Sequence, residues 1–243
     1  MTVNKRVSNL NERIDPIQRQ KEKADKMKSH SRYCQVWASW WLDAVGTSIT
    51  LICMSLSVAK YNEPILREKG KIIEIFDSEL EDLCEEMAET MYDHEGIGLA
   101  AQQIGEALML CVIDVPQAPD SNYEFSLDGK TPPAELIMPI ALINPKLELL
   151  PSRETTYEEG CLSFPGINGD VIRPDKVRVS FQDPQGNSHL MECSGLLSRC
   201  VQHEVDHLNG ILFIDHMDKE SLKILDSRIK NLKKQTQKFL KKS

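Results

Sequence analysis

Positive charge is what this sequence is short of. Against 29 Lys and Arg stand 37 Asp and Glu, a formal net charge of -8 at pH 7, which excludes a nucleic-acid binder relying on overall basicity. DNA is therefore not an expected partner. Paired cysteine is missing too. The seven cysteines, Cys34, Cys53, Cys84, Cys111, Cys161, Cys193 and Cys200, are an odd number without the dense spacing of a secreted disulfide scaffold. A reducing compartment, the cytoplasm, is the expectation, with most thiols serving as small buried core residues. No internal repeat is visible, so a solenoid is not indicated. What remains is an ordinary globular composition, 41% hydrophobic and 27% charged.

The acidic surplus is confined to one part of the chain. Residues 1–53 carry nine Lys or Arg against five acids, and residues 54–243 carry twenty against thirty-two, so charge marks a boundary near Met54. The first 32 residues are too poor in large apolar groups to offset the cost of ordering, and are expected to be disordered or loosely helical. Trp37 to Cys53 is mostly apolar. As a membrane anchor it is just long enough, but Asp43 near its middle is costly there. As a transit peptide the extension holds too many acids. The plainest account is a spurious upstream start, with Met54 opening the domain proper; a genuine extension would make an organelle the address, and membrane association is not expected.

From Met54 the pattern predicts an α+β domain. Pro64 favours an extended entry. Ser78 and Glu81 form a capping box, and Leu80, Leu83, Cys84, Met87, Ala88 and Met91 recur at helical spacing, predicting a helix that ends near Asp93, before Gly96. Leu108 to Val115, Ala141 to Ile143, Lys146 to Leu150, Val177 to Phe181 and Ser188 to Glu192 read as short strands, the last two joined by a turn at residues 183–187. Residues 117–139 hold four prolines and Asp128-Gly129, and read as a long loop or hairpin insertion. Leu196 to Leu208 is helical. Asp218 or Ser221 opens a last helix, with Leu222, Leu225, Ile229 and Leu232 as its apolar stripe and many lysines outside it.

The helix at Leu196 to Leu208 contains Gln202-His203-Glu204-Val205-Asp206-His207. Two histidines four apart lie on one helical face and can reach one metal ion, with Glu204 beside it. About forty residues earlier stands Glu159-Gly160-Cys161-Leu162-Ser163. Flanking acids make Cys161 a poor free nucleophile, so a cysteine-protease reading is weak; a metal reverses this, because coordination deprotonates a thiol. Cys161, His203 and His207 then form a three-ligand site with one position open to water, and Glu204 is placed as the proton acceptor. Amide hydrolysis also needs donors for a developing oxyanion; the Leu162 backbone N–H and the Gln103 side chain are the candidates. Asp206 would support the ligands from behind.

Gly96-x-Gly98-x-x-Ala101 satisfies a dinucleotide-binding pattern formally, but it follows a helix and leads into a strand, the reverse of what that motif requires. The glycines are better read as letting backbone approach an extended substrate.

These segments, with Gly96-Ile97-Gly98-Leu99-Ala100-Ala101-Gln102-Gln103 first, resemble the three ordered motifs of the peptide deformylases. The resemblance runs from about Met54 to the C-terminal helix. It implies short, mostly antiparallel strands around a central metal-bearing helix, and removal of the N-formyl group from the formylmethionine of nascent polypeptides, with release of formate. It also implies one divalent ion, Fe2+ as the expected native metal with Zn2+ or Ni2+ able to substitute. By resemblance the metal ligands are Cys161, His203 and His207, the catalytic carboxylate is Glu204, and the oxyanion donors are Gln103 and Leu162. Ile97, Gly98, Leu196 and Cys200, beside Gly96, would line the substrate pocket, while Arg173 has a structural pairing role. The basic C-terminal helix resembles that of bacterial members; its lysines offer a contact with the ribosome, with a solvated face on a docked helix as the alternative. Residues 1–53 and the insertion at 117–139 depart from compact members.

Two other readings stay open at this point. A metalloendopeptidase shares the His-Glu-x-x-His chemistry, although the cysteine ligand speaks against it. A structural metal clip would need a fourth protein ligand, for which His94, His189 and His216 are the residues to check.

Overall fold

The computed structural model describes residues 56–115 and 123–241. The readings made for residues 1–53 lie outside the described residues. The described residues of 56–132 and 138–241 belong to one compact unit; residues 133–137 are assigned apart from it and contain a 3-10 turn at Ala134–Leu136. No described helix is long and apolar enough to cross a membrane.

Among the described residues eight strands appear: β1 (Gly98–Ala100), β2 (Leu110–Ile113), β3 (Phe125–Leu127), β4 (Ile140–Leu149), β5 (Glu154–Glu159), β6 (Gly169–Pro174), β7 (Lys176–Gln182) and β8 (Ser188–Ser194). Six form a sheet in the order β1-β2-β4-β7-β8-β3, and β5 pairs with β6 in a separate two-stranded sheet. Every strand pair is antiparallel. Among the described residues three α-helices accompany them: α1 (Ser78–Asp93), α2 (Gly195–Leu208) and α3 (Lys219–Leu240). This is the expected α+β class, with antiparallel strands around the histidine-bearing helix α2.

The first helix shows how local chemistry sets an element. Asp77, one residue before the predicted cap, takes the N-cap position, and its carboxylate accepts from the Leu80 N–H at 3.1 Å. Ser78 is thereby the first helical residue and the proposed Ser78–Glu81 box does not form. The reason is electrostatic as well as steric: a charged acceptor at the positive end of the helix outcompetes a neighbouring hydroxyl. Leu80, Cys84, Met87 and Met91 face inward and pack with Leu99, Leu110, Val112 and Ile143 of β1, β2 and β4. Each such side chain, once buried, contributes about 1.5–3 kcal/mol.

Two strand readings are corrected. Ala141–Ile143 and Lys146–Leu150 are one strand, β4, with a register break between Ile143 and Lys146. Asn144 sits there at φ 52° and its side chain satisfies both the N–H and the carbonyl of Ile73, so the polar interruption is a bulge rather than an end. Residues 125–127, expected within a loop or hairpin insertion, form β3 and pair with β8. Asp128 and Gly129, at φ 51° and 73°, turn the chain back so that Leu127 bridges Lys130. Pro64 opens a 3-10 turn, Pro64–Arg67, after an extended Glu63.

Helix α2 buries Leu197, Val201, Val205 and Leu208, and with them the polar Arg199, Gln202, Glu204 and His207. A helix buried nearly all round must satisfy its polar groups from neighbouring elements. It stops at Leu208, and Gly210 follows at φ 72°, where a side chain would lie 2.5 Å from the Arg67 carbonyl oxygen. Asp218 caps α3 by accepting from the Glu220 and Ser221 N–H groups. Leu225 and Leu232 are buried and Leu222 and Ile229 half-buried against Phe164, Ile167, Val171 and Phe213, so the predicted stripe docks α3 beside β6.

Candidate metal centre

The centre is assembled from three stretches of chain: the turn after β5, the approach to β1, and helix α2. Strand β5 ends at Glu159, and Cys161 follows in a turn closed by the Phe164 N–H on the Cys161 carbonyl at 2.8 Å. His203 and His207 stand one helical turn apart on α2. The ligand atoms of Cys161, His203 and His207 all lie within 4.8 Å of one another, with Cys161 Sγ 3.3 Å from His207 Nε2. A tetrahedral ion with ordinary metal–sulfur and metal–nitrogen bonds sets its donors about 3.3–3.6 Å apart. One soft thiolate and two imidazoles, with one pair at that separation and all three within 4.8 Å, fit a first-row divalent metal.

Behind the donors lies a buried charge network. Glu159 Oε2 receives His203 Nδ1 at 2.9 Å, which leaves Nε2 to face the other two donors. Arg173 donates to both oxygens of the same carboxylate at 2.6 and 3.0 Å, and Arg199 Nη1 donates to Oε1 at 2.7 Å. Burial opposes the charge on Glu159, yet the bonds from His203 and Arg173 outweigh it and hold the carboxyl far below its usual range. Arg173 also donates to Asp206 at 2.7 Å, and Asp206 accepts from His216 at 2.8 Å. Asp206 thus supports the ligands through Arg173 and Glu159, one bond further from the histidines than its place in the motif suggests.

Glu204 is buried beside the donor set, and its Oε2 has no hydrogen-bond partner. Burial pushes its carboxyl up to about 7; a cation alongside favours the charged form and pulls that value back down. The backbone of Gly98 packs against this carboxylate so closely that a Cβ would lie 2.4 Å from Glu204 Oε1 and 2.9 Å from Cys200 Sγ. Glycine is required here by close approach. Gln103 accepts the Ala100 N–H on Oε1 at 2.9 Å, which turns its amide nitrogen towards Cys161 Sγ at 3.4 Å and Ser163 Oγ at 3.3 Å.

A cavity of about 510 Å³ opens over this group. Gly96, Ile97, Gly98, Leu196 and Cys200, the expected substrate-pocket residues, all line it, as do Gln103, Cys161, Leu162, His203 and Glu204. The Cys200 thiol donates to the Ile97 carbonyl at 3.4 Å, tying α2 to the approach to β1. Of the three other histidines checked as a fourth ligand, His94 lies in the cavity wall, His189 bonds to Asp128 and Asp183, and His216 bonds to Asp206. Among the described residues the donor cluster is Cys161, His203 and His207.

Three contributors went unrecognised in the sequence: Glu159 as the hub, Arg199, and Lys60, whose ammonium donates to the Leu162 carbonyl at 3.0 Å. Arg199 carried a usable signal, since it precedes His203 by four residues and so shares its helical face. Lys60 carried none, lying 102 residues from its partner.

Known proteins agree with this geometry. Residues 55–223 match the family model described as polypeptide deformylase. The chain is 52% identical over 186 residues to a peptide deformylase of Opitutus terrae, covering 75% of this chain and 95% of that one. It is 40% identical over 179 residues to peptide deformylase 1B, chloroplastic, of Oryza sativa, covering 74% of this chain and 61% of the relative. The crystal structure of Arabidopsis thaliana peptide deformylase 1B with an inhibitor superposes with a TM-score of 0.65 at 36% identity, over 75% of this chain and 93% of that one.

Proposed function

Because this chain belongs to the polypeptide deformylase family, we propose here how its own residues carry out the family's reaction. It hydrolyses the formyl amide of an N-terminal formylmethionine on nascent polypeptides, releasing formate and a free amine. The observation that supports the residue roles best is the buried, half-unpartnered carboxylate of Glu204 beside a Cys-His-His donor set at the floor of an open cavity.

Cys161, His203 and His207 hold one divalent metal. When bound, that ion supplies Lewis acidity and raises the acidity of water enough for its deprotonation near neutral pH. Glu204 accepts the proton of the attacking water and later delivers it to the departing methionine nitrogen. The Gln103 amide and the Leu162 N–H receive the charge that develops on the formyl oxygen, each worth on the order of 3 kcal/mol of barrier. Ile97, Leu196 and Cys200 enclose the methionine side chain, and Gly96 and Gly98 let the substrate backbone lie close. Any side chain at Gly98 would displace Glu204 from its position.

The donor set is compatible with Fe2+, Zn2+ and Ni2+ alike, and in this reading Fe2+ is the resident ion. The test is formate release from a formyl-Met peptide with metal content determined on protein prepared anaerobically. Stoichiometric iron with fast turnover is expected, and full turnover on internal amide bonds instead would move the protein to the endopeptidases. Among the described residues Cys84, Cys111, Cys161, Cys193 and Cys200 form no disulfide, which suits a reducing cytoplasm. The chloroplast relative keeps an organelle as the alternative should residues 1–53 prove a genuine extension.

The exposed basic side chains of α3, Lys223, Arg228, Lys230, Lys233, Lys234 and Lys238, would carry contact with ribosomal RNA. Co-sedimentation with ribosomes that falls steeply with added salt is expected. Binding indifferent to salt, or none at low salt, would assign those lysines to a solvated face.

A further inference from the structure

The two oxyanion donors proposed above, Gln103 and Leu162, come from segments far apart in the chain, and a third segment ties them together. Residues 59–61 run between them. The Ala59 N–H donates to the Gln103 carbonyl at 2.7 Å, the Lys60 ammonium to the Leu162 carbonyl at 3.0 Å, and the Tyr61 N–H to the Ser163 carbonyl at 2.9 Å. Gln103 closes the loop by donating to Ser163 Oγ at 3.3 Å. Two of the three bonds from residues 59–61 are backbone bonds that any side chains would permit. The Lys60 bond depends on its side chain.

Consider what fixes the direction of the Leu162 N–H. It belongs to the peptide plane between Cys161 and Leu162, whose carbonyl is held by the Phe164 N–H at 2.8 Å. In a trans peptide the N–H points opposite the carbonyl, so that bond aims the donor. The following plane, between Leu162 and Ser163, is held on its carbonyl by Lys60. Residue 162 is then anchored at both planes and cannot rotate between them.

We propose that Lys60 is a positioning residue of the reaction, holding the Leu162–Ser163 peptide so that the Leu162 N–H and the Gln103 amide converge on one oxygen. Lys60 is half-buried in the cavity wall, so its bond is made where water competes poorly. Glu63 fixes the backbone it springs from, accepting the Lys60 N–H at 2.7 Å. The inference rests on the assignment of Gln103 and Leu162 as oxyanion donors.

The test compares the metal-loaded wild type with Lys60→Met, Lys60→Arg and Gln103→Ala on a formyl-Met peptide. Lys60→Met keeps the apolar stem and removes the donor. A fall in kcat of roughly tenfold is expected, smaller than the loss of a donor itself, with KM and metal content unchanged; Lys60→Arg should restore most of it. A merely structural lysine would lower Tm without touching kcat, and that result would overturn the proposal. So would a change confined to KM, which would make Lys60 a substrate contact. Gln103→Ala separates the two layers. If it loses kcat while Lys60→Met does not, only the positioning role fails; if Gln103→Ala is fully active, the donor assignment beneath it fails.

Discussion

Glu204→Gln is expected to retain its metal and lose deformylation by about 10²- to 10⁴-fold, the usual contribution of a positioned acid–base group. The substitution keeps the shape of the side chain, so the fit against Gly98 and Cys200 survives. It removes a buried carboxylate beside the donor set whose Oε2 has no hydrogen-bond partner and so is open to a proton from water. Stability should move the other way. In the metal-free protein the buried carboxyl has its pKa raised from 4.5 to about 7. The folded state therefore holds a proton that the unfolded state releases, and stability falls as pH rises through that interval. Above it the cost is on the order of 3 kcal/mol, and the glutamine variant is free of it. Denaturant unfolding of the two metal-free proteins should show a gap at pH 8 that closes at pH 4. Steady-state turnover of the loaded variant at the wild-type rate would end the acid–base role.

Cys161→Ala should act on the metal itself. Loss of a group that only orients a ligand costs about 10- to 100-fold in metal affinity, and the loss of a ligand should exceed that. The alanine leaves Gln103 its bonds to Ala100 and Ser163, so the oxyanion side stays in place and the defect is confined to coordination. Competition against a chelator, with circular dichroism to confirm folding, measures it. An unchanged metal affinity would remove Cys161 from the ligand set.

The parts of this molecule that announce themselves in sequence are those whose partners are close along the chain. His203, Glu204 and His207 share a helix face, so spacing alone joins them, and the stripe of α3 and the turn at residues 183–187 are local in the same sense. The sheet of β5 and β6 is invisible by the same logic. In Glu154–Glu159 only Glu159 is buried, so no apolar alternation marks the strand. Glu159 itself looks like one more solvated acid in an acidic stretch. Its burial is decided by Arg173 and Arg199, 14 and 40 residues later, and no window of the sequence contains all three. Asp77 and Asn144 show a smaller version of the same limit. Competition between two adjacent caps, and a bulge paired to Ile73, are settled by contacts that propensity does not see.

The position of β3 has a bearing on how such a chain can change. The six-stranded sheet has a working edge, β1, against which Glu204 and the cavity are built, and an idle edge, β3, with four strands between the two. Side-chain changes in β3 fall at the far side of the sheet from the groups proposed to meet substrate, so this strand is free to diverge while the chemistry stays the same.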